Sequence, residues 1–125
     1  CLIQIKIILN KMKIYHNPRC RKSREGVQYL TDKGVEFKII EYLKDNLSKE
    51  TVQILLNKLN ITALELIRKN EKIWKENFKD KNLSEKELIE VLHKEPKLIE
   101  RPIIENENLA VIGRPKENID LLFNN

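Results

Sequence analysis

The sequence has little cysteine, and this scarcity limits the redox chemistry that it supports. Only two cysteines occur in 125 residues, Cys1 in a terminal stretch and Cys20 in the body of the chain. One thiol in the body builds no disulfide framework, which favours a reducing, cytoplasmic compartment over an oxidising one. The two histidines are far apart and add no ligand cluster, so we predict no metal site and no bound cofactor.

Long apolar runs and a concentrated charge of one sign are also missing. No apolar run approaches the length of about 20 residues that spans a bilayer, so no membrane association is expected. The 24 basic residues are interleaved with 19 acidic ones, and the net charge of +5 is therefore diffuse. A nucleic-acid partner is not predicted, because such proteins usually concentrate their basic residues. We expect a single domain over residues 1–125 and a monomer.

Residues 1–11 differ from the rest of the chain. They are rich in isoleucine and leucine, but no cleavage site of small residues follows them. We interpret them as an N-terminal extension rather than a signal peptide. A clean strand pattern begins only after Met12, the one methionine of the chain.

The first third of the remaining chain predicts a βαβ unit. Residues 13–15 are typical of a short strand, and a helix is predicted from Pro18 to Lys33, with Gly34 as its left-handed stop. A second strand is predicted over residues 35–42. Because the whole unit takes about 30 residues, the two strands should be parallel.

The middle of the chain, residues 44–100, predicts a block of helices. Ser48 is placed to cap a helix that runs through Leu59. Two capping boxes, Thr62 with Glu65 and Ser84 with Glu87, predict two further helix starts. Between them, Trp74 and Phe78 lie four residues apart and should pack a short helix onto the core.

After residue 96 the pattern returns to strands. Residues 102–104 and 109–112 predict an antiparallel hairpin around a polar turn at 105–108, and Pro115 opens a last helix. The predicted order is βαβ, a helical block, then ββα. This order predicts an α/β, thioredoxin-like fold with a helical insertion at 44–100.

Cys20 is predicted to lie in the first turn of the first helix. Unpaired N–H groups and the helix dipole favour negative charge there, which lowers a thiol pKa and also binds oxyanions. The neighbouring Arg19, Arg21, Lys22 and Arg24 act in the same direction. We therefore predict a reactive thiolate beside an anion site, rather than an inert buried cysteine.

Ser23 stands where a second cysteine would complete a Cys-x-x-Cys motif. Without that thiol, a covalent intermediate on Cys20 must be resolved by a thiol from outside, such as glutathione. Ser23 either donates a hydrogen bond to the thiolate or is an ordinary serine of the first turn. His16 either holds or protonates the sulfur or is a plain residue at the end of a strand.

Arginine is used sparingly, in six of the 24 basic positions. Arg68, Arg101 and Arg114 are each isolated among lysines, which indicates sites where the planar, bidentate guanidinium matters. That group suits tetrahedral oxyanions. The alternative is three unrelated surface salt bridges.

Four segments together resemble the glutaredoxin-dependent arsenate reductases. They are YHNPRCRKSRE at residues 15–25, LIRKN at 66–70, ERPII at 100–104 and GRP at 113–115. The similarity runs from Met12 nearly to the end of the chain, with the segments in the family's order. The loop is similar to a chromosomal branch of that family, and the chain ends sooner after the last helix than in its best-known members.

The resemblance implies a role for each of these residues. Cys20 would attack arsenate and displace hydroxide, with His16 assisting the thiolate, while Arg68, Arg101 and Arg114 hold the oxyanion. Glutathione would attack the adduct as co-substrate, and glutaredoxin would complete the reduction to arsenite. Pro102 would match the cis-proline of the fold.

Two other functions remain open for the same fold. Spx-type regulators bind RNA polymerase and sense disulfide stress, but they typically carry Cys-x-x-Cys, and Ser23 and Arg114 argue against that class. A general glutathione-linked thiol oxidoreductase would use Cys20 without arsenate.

Overall fold

The computed structural model describes residues 12–123, so the predicted N-terminal extension lies outside the described residues. The chain forms two compact units. One comprises the described residues up to Tyr42 together with those from Arg101 onward, and the other is Leu43–Glu100. The expectation of a single domain with an insertion at 44–100 stays a prediction.

The first unit is built on a four-stranded mixed sheet. Its strands, in chain order, are β1 (Lys13–Tyr15), β2 (Lys38–Ile40), β3 (Ile103–Glu105) and β4 (Ala110–Ile112). They are arranged in the order β2-β1-β3-β4. β1 is parallel to β2 and antiparallel to β3, and β3 is antiparallel to β4. The predicted parallel βαβ unit and the predicted hairpin are both confirmed.

Helix α1 (Arg21–Asp32) follows β1. It begins three residues later than predicted, because the chain first makes a turn in which the Cys20 N–H donates to the Asn17 carbonyl oxygen at 2.9 Å. Its apolar side buries Leu30 completely. Gly34 ends it with a φ of 72°, as predicted, since this left-handed conformation favours glycine.

The core of this unit lies between the sheet and its helices. Its buried members come from the residue before β1 and from β1, α1, β3 and the last helical segment: Met12, Ile14, Leu30, Ile104, Ile119 and Leu122. The predicted last helix is a 3₁₀ helix, Lys116–Leu122. Asp120 of this helix accepts a hydrogen bond from the Tyr29 hydroxyl at 2.7 Å and forms an ion pair with Lys33 at 3.0 Å. These two contacts join the 3₁₀ helix to α1 and the residue that follows it.

Two predicted boundaries in the sheet are wrong. The second strand is three residues long rather than eight, because it is an edge strand that pairs only with the three residues of β1. Glu105 belongs to β3 and not to the turn. It is buried, and its Oε1 accepts from the Tyr15 hydroxyl at 2.7 Å. Burial first, and then this carboxylate, raise the pKa of Tyr15.

The second unit is helical. It contains α2 (Lys49–Leu59), α3 (Ala63–Leu66), α4 (Lys72–Asn77), α5 (Glu85–Lys94) and a 3₁₀ turn (Pro96–Leu98). The Ser48 cap and both capping boxes form as predicted. Trp74 is buried and its ring stacks on Phe78 at 5.9 Å, as the spacing indicated. Within the described residues, no helix is long and apolar enough to cross a membrane.

Truncation of the core residue Leu30 tests the packing of the first unit. Leu30 is fully buried, so we expect Leu30→Ala to lower the free energy of unfolding by about 2–5 kcal/mol. Leu121→Ala is the matched control, because Leu121 is 56% exposed and its loss should cost no more than about 0.5 kcal/mol. Urea unfolding followed by circular dichroism measures both, and equal losses would contradict the assigned core.

Candidate active site

The site is organised by Cys20, which occupies the N-cap position of α1 with an extended backbone (φ −95°, ψ 122°). The prediction placed it inside the first turn. At the N-cap, a side chain faces the free N–H groups of the second and third helical residues, here Lys22 and Ser23. The sulfur therefore lies where a serine or aspartate oxygen would usually cap a helix.

The surroundings of Cys20 favour its thiolate. Partial burial raises the pKa of the thiol, but the Ser23 N–H, the Arg101 guanidinium and the Lys22 N–H outweigh it, so the pKa is lowered overall. The two N–H groups stabilise the charged sulfur although the side chain makes no cap hydrogen bond of ordinary geometry. A cysteine with a lowered pKa is a nucleophile.

Arg101 reaches Cys20 because of the sheet. β1 and β3 are antiparallel, with Tyr15 opposite Ile103, so the chain that leaves β1 lies beside the chain that enters β3. The Arg101 guanidinium stabilises the thiolate by hydrogen bonding and by its charge. Its Nε and Nη1 are buried and have no hydrogen-bond partner among the described residues. Unused buried donors are costly in a folded protein, which indicates that they serve a ligand.

Arg101, rather than the arginines of the loop, supplies the cation next to the sulfur. The prediction assigned this effect to Arg19, Arg21, Lys22 and Arg24. Arg21 is 85% exposed and pairs with Glu25, and Lys22 also pairs with Glu25. Arg24 donates from Nη1 to the Pro18 carbonyl oxygen at 2.8 Å, which braces the loop.

Ser23 and His16 form one hydrogen-bonded group. The Ser23 hydroxyl is fully buried, lies 2.7 Å from His16 Nδ1 and accepts from the Asn17 N–H at 2.9 Å. The sequence leaves two alternatives for Ser23, a hydrogen bond from its hydroxyl to the thiolate or an ordinary serine of the first turn. In the structure its backbone N–H acts on the sulfur, while its hydroxyl contacts His16 and the Asn17 N–H. Burial lowers the pKa of His16, with Glu41 opposing and Arg24 adding to this effect.

Asn17 is the loop residue that the sequence reasoning missed. Its Oδ1 accepts from the Arg19 N–H at 3.0 Å, and its carbonyl oxygen accepts from the Cys20 N–H. Its side chain and backbone thus shape the turn that presents the thiol. The Asn-Pro pair was the available signal, since it is typical of turn starts.

Arg114 and Pro102 belong to the same unit as Cys20. Arg114 follows β4, and its side chain is exposed. The Arg101–Pro102 peptide bond is cis, as the resemblance implied, and so is the Arg114–Pro115 bond. Pro115 precedes the 3₁₀ helix as its N-cap residue rather than opening its first turn.

Arg68 lies in the helical unit. Its Nη1 pairs with Glu71 at 2.7 Å and its Nε with Glu100 at 3.7 Å, while the side chain is 22% exposed. Its N–H donates to the Leu98 carbonyl oxygen at 2.7 Å. These acidic partners, which the sequence reasoning did not name, engage the guanidinium in two ion pairs.

Cys20, Ser23 and Arg101 together define a class of site. A four-stranded sheet carries a low-pKa thiol at the start of the first helix, and a cis-proline precedes β3. This is a thioredoxin-like fold in which Cys20 is the one free cysteine of residues 12–123. No group of three or more histidine, cysteine or acidic residues in the described part of the chain is arranged to hold a metal ion.

Comparison with known proteins gives the family. The ArsC family model matches residues 15–122. The uncharacterized protein YfgD of Escherichia coli is 44% identical over 87% of this chain and 93% of its own, and an arsenate reductase of Haemophilus influenzae is 38% identical over 85% and 93%. A solved structure, the arsenate reductase from Vibrio cholerae, has a TM-score of 0.84 and 37% identity over 88% of this chain and 95% of its own. The chain belongs to the ArsC family.

The role of Arg101 can be tested through the ionisation of Cys20. Because Arg101 stabilises the thiolate, Arg101→Met should raise the pKa of Cys20, and alkylation by iodoacetamide at neutral pH should slow severalfold. Arg21→Met is the matched control, since Arg21 is exposed, and should leave the rate unchanged. All proteins in this experiment carry Cys1→Ser, so that Cys20 is the one thiol that iodoacetamide can alkylate. Equal rates for both arginine variants would contradict the assignment.

The burial of His16 predicts a pH dependence of stability. Its pKa is lowered in the folded chain, so the unfolded chain takes up the proton first as the pH falls below 6.5. Stability is then fully present above this value and decreases below it. Relative to His16→Asn, the wild type should lose unfolding free energy as the pH falls below about 6.5. Parallel urea-unfolding profiles for the two proteins would contradict the prediction.

Proposed function

We propose that the chain is a thiol-dependent arsenate reductase in which the Cys20 thiolate attacks arsenate. The observation that carries this proposal is the pair of buried, unpartnered Arg101 nitrogens beside a thiol of lowered pKa. They supply donors for an oxyanion next to the nucleophile. Membership of the ArsC family and the names of the Haemophilus influenzae and Vibrio cholerae relatives support the same reaction.

The first step forms a covalent adduct without a change in oxidation state. The Cys20 sulfur donates an electron pair to arsenic, a sulfur–arsenic bond forms, and one arsenic–oxygen bond breaks as hydroxide leaves. Negative charge on the arsenate oxygens increases during the attack. We assign the stabilisation of that charge to the Arg101 guanidinium and to the free N–H groups at the start of α1, because both already favour negative charge at Cys20.

The reduction itself requires two electrons from outside the chain. Cys20 is the only free cysteine among the described residues, and Ser23 replaces the resolving thiol of a Cys-x-x-Cys motif. We propose glutathione as the first external thiol and glutaredoxin as the second, in the cytoplasm. The two thiols leave as a disulfide, arsenic(V) becomes arsenic(III), and arsenite and water are released while Cys20 is regenerated.

The oxyanion is assigned to three arginines. Arg101 has direct geometric support because it reaches the thiolate. Arg114 is exposed at the end of β4 in the same unit and is proposed as a second contact. The role of Arg68 in binding stays a prediction of the family resemblance. A bidentate guanidinium suits a tetrahedral oxyanion better than an ammonium group does.

His16 and Ser23 act on the sulfur indirectly in this proposal. The Ser23 hydroxyl accepts from the fixed Asn17 N–H, so it is free to donate its own proton to His16 Nδ1. Neutral His16 would then carry its proton on Nε2. The pair keeps the loop rigid, which positions the Ser23 N–H toward the thiolate.

The test is arsenate-dependent oxidation of NADPH, coupled through glutathione, glutaredoxin and glutathione reductase. The wild-type chain should turn over, and Cys20→Ser should lose all activity, because the serine hydroxyl is not ionised at neutral pH. Cys1→Ser is the matched control and should keep full activity. Leaving out glutaredoxin or glutathione should abolish turnover.

Two outcomes would contradict the proposal. A flat trace with active coupling enzymes excludes arsenate as the substrate under those conditions. If Cys20 nevertheless exchanges with added oxidised glutathione to form a mixed disulfide and release reduced glutathione, as seen by intact-mass spectrometry, the chain is a general glutathione-linked thiol oxidoreductase instead.

A further inference from the structure

The helical unit contains a cavity of about 450 Å³ that takes no part in the proposed chemistry. Its apolar wall consists of Leu64, Trp74, Leu83 and Leu88. Trp74 and Leu88 are buried, while Leu64 is exposed, so the wall runs from the core of the unit to the surface. A volume of this size lies within the range of about 300–1,000 Å³ that is typical of small-molecule sites.

The rest of the lining is strongly biased toward positive charge. Lys69, Lys75, Lys79 and Lys81 are four of the nine lining residues, and no aspartate or glutamate is among the nine. The chain as a whole has 24 basic and 19 acidic residues, nearly balanced. A cavity that gathers four ammonium groups without one carboxylate therefore attracts anions.

Several acidic residues lie near these lysines in sequence: Glu65 interacts electrostatically with Lys69, and Asp80 lies between Lys79 and Lys81, whereas Glu71 and Glu76 pair with other cations. Glu71 pairs with Arg68 at 2.7 Å, and Glu76 pairs with Lys72 at 3.8 Å. Lys81 lies over the Phe78 ring at 5.7 Å. Among the described residues, Lys75, Lys79 and Lys81 form no ion pair with a carboxylate, so their charges are available to a ligand.

We propose that this lysine-lined cavity binds an organic anion with two or more negative groups on an aromatic or otherwise apolar body. An inorganic anion alone would use the lysines and leave the apolar wall in water. An uncharged apolar ligand would leave the ammonium groups without partners. Only a ligand with both parts satisfies both surfaces, and the site does not depend on the proposed arsenate chemistry.

The chain provides its own reporter for this site. Trp74 is the only tryptophan, and it lines the cavity. Titration with ADP should change the tryptophan fluorescence in a saturable way. Pyrophosphate and adenosine, which carry the charge and the aromatic body separately, should each bind more weakly than ADP, and added sodium chloride should weaken ADP binding because it screens the lysines.

Matched variants separate a specific site from general positive charge. In Lys75→Gln/Lys79→Gln, the dissociation constant for ADP should rise about fivefold or more, from the loss of two exposed ion pairs. Lys86→Gln/Lys97→Gln removes the same charge from two exposed lysines outside the cavity and should change the constant less than twofold. All four side chains are exposed, so both proteins should fold.

Three outcomes would overturn the proposal. One is no saturable fluorescence change with ADP at millimolar concentration. Another is equal weakening in the two double variants, which would indicate nonspecific attraction. The third is binding of pyrophosphate as tight as that of ADP at the same ionic strength, which would indicate a site for the inorganic anion alone.

Discussion

The start of helix α1 at Cys20 is the constraint on which the site depends. Because the sulfur takes the N-cap position, the free N–H groups of the first turn act on a thiolate instead of on a capping oxygen. The buried Ser23 hydroxyl holds this geometry by joining His16 to the Asn17 N–H. Backbone geometry and the Arg101 guanidinium together lower the pKa of the thiol and so favour the thiolate.

The sheet adds the second half of the site. Antiparallel pairing of β1 with β3 brings Arg101, more than eighty positions away in the chain, to the thiol. The same pairing places the buried Tyr15–Glu105 hydrogen bond between these strands. The pairing of β1 with β3 therefore brings together both the buried Tyr15–Glu105 pair and the Arg101–Cys20 pair.

Local signals predicted much of the fold correctly. The Ser48 cap, the capping boxes at Thr62 and Ser84 and the stop at Gly34 all formed, because a cap depends on residues only a few positions apart. The predicted length of β2 and the predicted place of Glu105 in the turn were wrong. Both depend on the neighbouring strand, about which a local pattern carries no information.

The sequence by itself determined that one cysteine lies near the start of a helix that follows a strand, that no second thiol stands three residues later, and the order of strands and helices along the chain. Only the tertiary structure decided that Arg101, rather than the adjacent Arg21, acts on Cys20, and that the Ser23 hydroxyl faces His16. It also decided that four separate lysines share one cavity wall. The reason is physical: charge and hydrogen bonding act through space over a few ångströms, whereas sequence patterns report only neighbours along the chain.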